Sequence, residues 1–133
     1  MNLEPLIIDT CVFRDSSFIQ KLKNYHGRKC ISPITYVEMQ IFLIGKKKKE
    51  QFYFDDLLKR AKIEIMTLRK EEAVAATVIG IGNGEFNKNS RDYMIASHAY
   101  TAPWIVITYN KRDFIYLGER VLNPDEFKKS KNI

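Results

Sequence analysis

Four acidic residues stand where folding can bring them together. Asp9 directly follows the apolar run Leu6-Ile7-Ile8, Glu38 comes soon after a short strand-like stretch at 29–32, and Asp92 and Asp113 bracket the run Trp104-Ile105-Val106-Ile107-Thr108. Carboxylates gathered in a partly desolvated crevice raise one another's pKa, so such a cluster calls for a neutralising cation. An all-oxygen donor set suits Mg²⁺ or Mn²⁺, and magnesium keeps several waters while taking one or two carboxylates directly. A metal held in this way polarises a phosphoryl oxygen and activates water for in-line attack, which is phosphodiester hydrolysis. Each acid also has an ordinary helical explanation. Thr35-Tyr36-Val37-Glu38 fits a capping box, Asp113 stands three residues after Asn110, Asp92 follows Asn89-Ser90, and Asp9 can itself cap a helix. Helix chemistry leaves unexplained why each acid attaches to a different strand end or helix start.

The positioning elements follow from periodicity. Leu6-Ile7-Ile8 reads as a buried strand, 13–25 as a helix with Phe18, Ile19 and Leu22 on one face, and 29–32 as a second strand closed by Pro33. Thr35 then caps a helix to about Leu43, and Phe54, Leu57, Leu58 and Ala61 mark another. Residues 63–68 alternate like a strand, 71–81 are helical, 85–89 form a polar connection, and a helix capped by Asn89 or Ser90 runs to Tyr100. The apolar, β-branched run 104–108 is the strongest strand, followed by a short helix at 112–117 and a short strand at 120–122. Strands alternating with helices imply an α/β three-layer sandwich, a mostly parallel sheet flanked by helices. In such a fold, strand C-termini and helix N-termini share one rim, where ligands bind. Asp9 at the end of strand one and Glu38, Asp92 and Asp113 in first helical turns all belong to that rim.

The length of 133 residues suits one domain, taken as 1–127 with a frayed basic tail at 128–133. No apolar run is long enough to span a bilayer and the start lacks a secretory signal, so a cytoplasmic protein is expected. A formal charge of +6 favours polyanions such as RNA without specifying one. Lys111 and Arg112, flanking Asp113 on the rim, are candidates for phosphate contact, and the lysine run 46–49 is a weaker one. Two cysteines, Cys11 and Cys30, make neither a disulfide framework nor a zinc site. His98 lies about 240° around a helix from Asp92 and cannot readily share its metal. The segment Gly80-Ile81-Gly82-Asn83-Gly84 follows a helix and lacks a Gly-Lys-Ser/Thr ending, so it reads as a helix terminus, not a phosphate loop. Tyr36, Phe42, Phe52, Tyr53 and Phe54, crowded on two adjoining helices, raise the expectation of a homodimer.

The four acidic segments resemble those of PIN-domain ribonucleases, the family that includes VapC-type toxins. The likeness is carried by Ile7-Ile8-Asp9-Thr10, Ser32-Pro33-Ile34-Thr35-Tyr36-Val37-Glu38, Arg91-Asp92-Tyr93-Met94-Ile95-Ala96-Ser97-His98-Ala99, Ile107-Thr108-Tyr109-Asn110-Lys111-Arg112-Asp113-Phe114 and the closing Val121-Leu122-Asn123-Pro124-Asp125-Glu126-Phe127. The resemblance implies a five-stranded parallel sheet and Mg²⁺- or Mn²⁺-dependent cleavage of RNA. It implies Asp9, Glu38, Asp92 and Asp113 as catalytic metal ligands, with Asp9 and Asp92 foremost, and Thr108 and Asn110 as polar support that, with Lys111 and Arg112, meets substrate. It also implies a small antitoxin protein as partner. Cys11 stands where Ser or Asn commonly follows Asp-Thr, and Tyr93-Met94 replaces a smaller pair after the late aspartate. A non-catalytic RNA-binding or scaffold protein of the same fold is the alternative. A receiver-type signalling domain ranks below both, because the third strand ends in Leu68-Arg69-Lys70 rather than an aspartate.

Overall fold

In a computed structural model, described for residues 3–84, 86–100 and 102–133, five strands form one parallel sheet. The strands are β1 (Leu6–Ile8), β2 (Lys29–Ile31), β3 (Glu64–Ile65), β4 (Ile105–Ile107) and β5 (Val121–Leu122), in the order β3-β2-β1-β4-β5. The helices are α1 (Ser16–Leu22), α2 (Pro33–Gln40), α3 (Tyr53–Ala61), α4 (Lys70–Asn83), α5 (Phe86–Tyr100) and α6 (Pro124–Lys131). Two 3₁₀ segments, Thr10–Arg14 and Lys111–Arg120, follow β1 and β4, and a π-helical stretch, Ile41–Lys46, continues α2. The expected flanked parallel sheet is therefore present, and all its pairings are parallel.

Alternation along β1 separates two apolar layers. Leu6 and Ile8 pack with Phe18, Leu22, Phe54, Leu58 and Phe127 on one face. Ile7 packs on the other with Ile79, Ile95, Ala96, Ala99 and Phe114. This is the period-two geometry of a strand buried on both sides. The chain runs outward from β1 through β2 to β3, crosses back by way of α4 and α5, and runs outward again from β4 to β5. Strand order thus reverses between β1 and β4, where the sheet leaves a crevice beyond the strand ends. Among the described residues no helix is long and apolar enough to cross a membrane.

Several elements differ from the sequence expectations. The single helix expected at 13–25 is divided: Asp15 ends the 3₁₀ segment and caps α1, its carboxylate accepting the Phe18 N–H at 3.1 Å. Ser32 caps α2 in place of Thr35, accepting the Ile34 N–H at 3.2 Å, because Pro33 fits the first helical position. The strand expected over 63–68 shrinks to Glu64–Ile65 at the sheet edge. In the expected connection at 85–89, Glu85 lies outside the described residues and the rest is the opening turn of α5. The tail does not fray from Lys128. Helix α6 runs to Lys131, anchored by buried Phe127, by the Lys131–Glu4 ion pair at 2.8 Å and by Ile133 against the core.

Candidate active site

The crevice at the β1/β4 reversal is organised around Asp9. As β1 ends, the Asp9 carboxylate caps the following 3₁₀ segment, accepting the Thr10 N–H through Oδ1 at 2.8 Å. Its Oδ2 accepts the Thr108 hydroxyl at 2.7 Å and the Cys11 thiol at 3.3 Å. Thr108 leaves the end of β4 and its Oγ1 also accepts the Asn110 N–H at 2.9 Å. Asp9 and Thr108 are both buried, so this charge-assisted bond locks the two central strand ends together. Thr108 is wholly enclosed, and its hydroxyl donates to Asp9.

Glu38 is fixed from both sides. Its Oε1 accepts the Thr10 hydroxyl at 2.6 Å and its Oε2 pairs with the Arg91 guanidinium at 3.0 Å. With α2 starting at Pro33, Glu38 lies in the second turn, so the Thr35–Glu38 capping box is absent. Asp92 is likewise moved out of the first turn, because α5 starts at Phe86. Both corrections remove the helix-start explanation for an acid at these two positions. Asp113 does occupy the first turn of its 3₁₀ segment, with its N–H bonded to the Asn110 carbonyl at 3.0 Å, and is exposed.

Electrostatics couples these groups. Asp92 is only 8% exposed, and its carboxyl is pushed up to about 6, chiefly by burial, then by the charges of Asp9 and Asp113. Arg91 opposes the rise and Glu38 adds to it. The Cys11 thiol is also raised, by burial and by Asp9, which keeps it a neutral donor. Asp9, Asp113 and Glu38 all act electrostatically on Asp92, yet among the described residues no group of three or more His, Cys, Asp or Glu side chains is placed to hold a metal ion. The oxygen donors of these acids are of the kind a hydrated divalent cation takes, binding few carboxylates directly and reaching others through water. The all-oxygen donor set and the raised Asp92 agree with a hydrated cation there.

The remaining candidates divide. Lys111 pairs with Glu126 at 2.8 Å, whereas Asn110 and Arg112 are exposed at the rim. His98 is buried beside Glu72 rather than beside Asp92. Phe54 lies in the core, while Phe42, Phe52 and Tyr53 stay exposed, as do Val37 and Ile41. In the lysine run, Lys47 and Lys49 lie over the rings of Phe42 and Tyr53. Sequence reasoning missed Thr10 and Arg91. They adjoin Asp9 and Asp92 in the chain; that adjacency was the available clue.

A family model described as PIN domain matches residues 6–119. The chain belongs to the PIN-domain family. That family is one of nucleases, and the matched residues include all four acids. Among solved structures, a toxin–antitoxin complex from Klebsiella pneumoniae is similar, with a TM-score of 0.69 and 20% identity, over 90% of this chain and 97% of that one. A DNA-bound VapBC from Salmonella typhimurium has a TM-score of 0.62 and 22% identity, over 92% and 99%. VapBC-1 from nontypeable Haemophilus influenzae has a TM-score of 0.56 and 15% identity, over 88% and 95%. At these identities the likeness is one of fold. No curated protein matches the sequence.

Proposed function

We propose that this PIN-domain protein is a cytoplasmic, Mg²⁺- or Mn²⁺-dependent endoribonuclease that hydrolyses RNA phosphodiester bonds, and that it is the toxin of a toxin–antitoxin pair. The observation that carries the reading is the buried Asp92 carboxyl, held up to about 6 by burial and by the charges of Asp9 and Asp113 in a crevice at the strand-order reversal. A raised carboxyl facing like charges is a frustrated arrangement that a divalent cation relieves.

Asp9 and Asp92 would hold the cation, with Glu38 and Asp113 holding its waters. When bound, the cation supplies Lewis-acid polarisation of the phosphate and an activated water. The chain's own contribution is orientation. Thr108 and the Thr10 N–H fix the Asp9 carboxylate, and the Thr10 hydroxyl with Arg91 fixes Glu38. Exposed Arg112 is placed to meet a backbone phosphate, and the net charge of +6 favours the encounter. The exposed apolar residues Val37, Ile41, Phe42 and Phe52 support association with a second copy, and the neighbouring toxin–antitoxin complexes support a small antitoxin partner.

The test is RNA cleavage by purified protein with Mg²⁺ or Mn²⁺, alongside Asp9→Asn and Asp92→Asn. Loss of cutting in both folded variants is expected; cutting that persists equally in both would refute the assignment. That no group of three or more His, Cys, Asp or Glu among the described residues is placed to hold a metal supports one second reading, a non-catalytic RNA-binding or scaffold protein of the same fold. It predicts binding that survives chelation, without turnover. For the toxin role, growth arrest on expression should be relieved by a small protein encoded beside the gene, and light scattering should return the mass of a dimer.

A further inference from the structure

Tyr109 follows Thr108 at the end of β4 and is held at both of its donors. Its N–H donates to the Cys11 Sγ at 3.4 Å, and that thiol donates to Asp9 Oδ2 at 3.3 Å, so one side chain separates the Tyr109 backbone from the central acid. Its phenol donates to Asp15 Oδ2 at 2.5 Å, while the other oxygen of Asp15 accepts the Phe18 N–H at the start of α1. Both donors are therefore engaged within the protein, yet Tyr109 is 43% exposed. Core packing does not account for this aromatic, which belongs to neither apolar layer of the sheet. Cys11 also anchors a cation: exposed Arg14 donates through Nε to the Cys11 carbonyl at 3.2 Å. A residue in contact with Asp9 thus holds an open tyrosine on its thiol and a guanidinium on its carbonyl.

We propose that Tyr109 is a specificity-determining residue, its ring stacking on an unpaired base of the RNA next to the phosphate that the acidic crevice receives. The inference rests on the RNA-cleaving reading above and deepens it by naming single-stranded RNA as the substrate, since a base inside a duplex has no free face to offer. Net charge attracts any polyanion, whereas an aromatic ring selects one that carries bases, and stacking on it is worth about tenfold in affinity. The bond to Asp15 holds the ring before RNA arrives, so little rotamer freedom is lost on binding. Arg14, anchored on the same cysteine, supplies a cation for the adjoining backbone phosphate. The larger overlap of a purine makes adenine a better occupant than uracil.

The test separates the ring from its hydroxyl in chains that carry Asp92→Asn to stop cutting: one with Tyr109 intact, one with Tyr109→Phe and one with Tyr109→Leu. Each is titrated into dye-labelled oligoadenylate or oligouridylate of about 12 nucleotides, read by anisotropy, and into oligoadenylate carrying one 2-aminopurine, whose fluorescence reports stacking. Tyr109→Phe keeps the ring and should bind oligoadenylate within about twofold of its parent, with the same quenching. Tyr109→Leu should bind about tenfold more weakly at an unchanged salt slope, quench less, and lose the preference for adenylate. Equal affinity and quenching in the leucine and phenylalanine variants would overturn the proposal. So would a loss in Tyr109→Phe as large as in Tyr109→Leu, the mark of a tyrosine that serves only to hold Asp15. Failure of the underlying reading looks different: none of the three chains binds RNA, or wild type does not cut RNA in Mn²⁺ while the ring still discriminates between the oligonucleotides.

Discussion

Replacing Asp92 by asparagine should stabilise the metal-free protein at neutral pH and leave it nearly unchanged near pH 4. In the unfolded chain this carboxyl ionises near 3.8, and in the folded protein near 6, first because it is buried and next because Asp9 and Asp113 face it. A gap of about two pKa units corresponds to about 3 kcal/mol at ~1.4 kcal/mol per unit. Below pH 3.8 the acid is neutral in both states and costs nothing. Between that value and about 6 the unfolded chain has released a proton that the folded protein still holds, so stability falls as pH rises; above 6 the whole penalty is present. Asparagine never ionises and escapes it. For a domain of 133 residues, a gain of about 3 kcal/mol is on the order of 10 °C in melting temperature. Urea denaturation with a chelator at a series of pH values from 4 to 8 measures the effect. A stability difference that is the same at both ends, or a greater loss for Asp92→Asn at pH 8, would refute the reasoning. The same linkage makes wild-type Mn²⁺ affinity fall by about tenfold for each pH unit below about 6.

Thr108→Val removes the donor to buried Asp9 and the acceptor of the Asn110 N–H; a loss of about 1–3 kcal/mol by chemical denaturation and weaker Mn²⁺ binding are expected, and unchanged values for both would contradict the assigned role. Phe127→Ala opens the layer where this ring meets Phe18 and Tyr25 and should cost about 3–5 kcal/mol, with α6 becoming accessible to protease. Truncation after Phe127 should lower the melting temperature, since it deletes the Lys131–Glu4 pair and the packing of Ile133; an unchanged value would restore the view of an idle tail. Changing Lys46, Lys47, Lys48 and Lys49 to alanine should reduce the salt slope of RNA binding by about one for each lysine that meets phosphate, and an identical slope would exclude the run from the interface.

The parallel sheet was legible because its central strand β1 and its neighbour β4 are continuous apolar runs that burial on both faces explains, and Ile105-Val106-Ile107 is the plainest. The helix starts were less so. Pro33 was read as closing a strand although proline equally opens a helix, and that misplacement put Glu38 one turn too early. Asp92 was misplaced for a related reason: the polar run before it looks like a connection, but Asn89 and Ser90 are already inside α5. The acids themselves stand out in the sequence by their attachment to strand ends and helix starts. What fixes them was not, since the bonds from Thr108 to Asp9 and from Thr10 to Glu38 join residues 99 and 28 positions apart. Lys111 was hidden in the same way, because its partner Glu126 lies on α6.

Asp9 and Asp113 enter from nearly opposite ends of the polypeptide, and the two strands that precede them pair only after most of the chain exists. A fragment made by early termination or by a protease cut in the middle therefore holds no complete set of charges. During synthesis at about 5–20 residues per second, the four acids are not all present until the last fifth or so of the chain is made. Two separately expressed halves, joined at the α4–α5 boundary, would regain the crevice only by reassembling the sheet around β1.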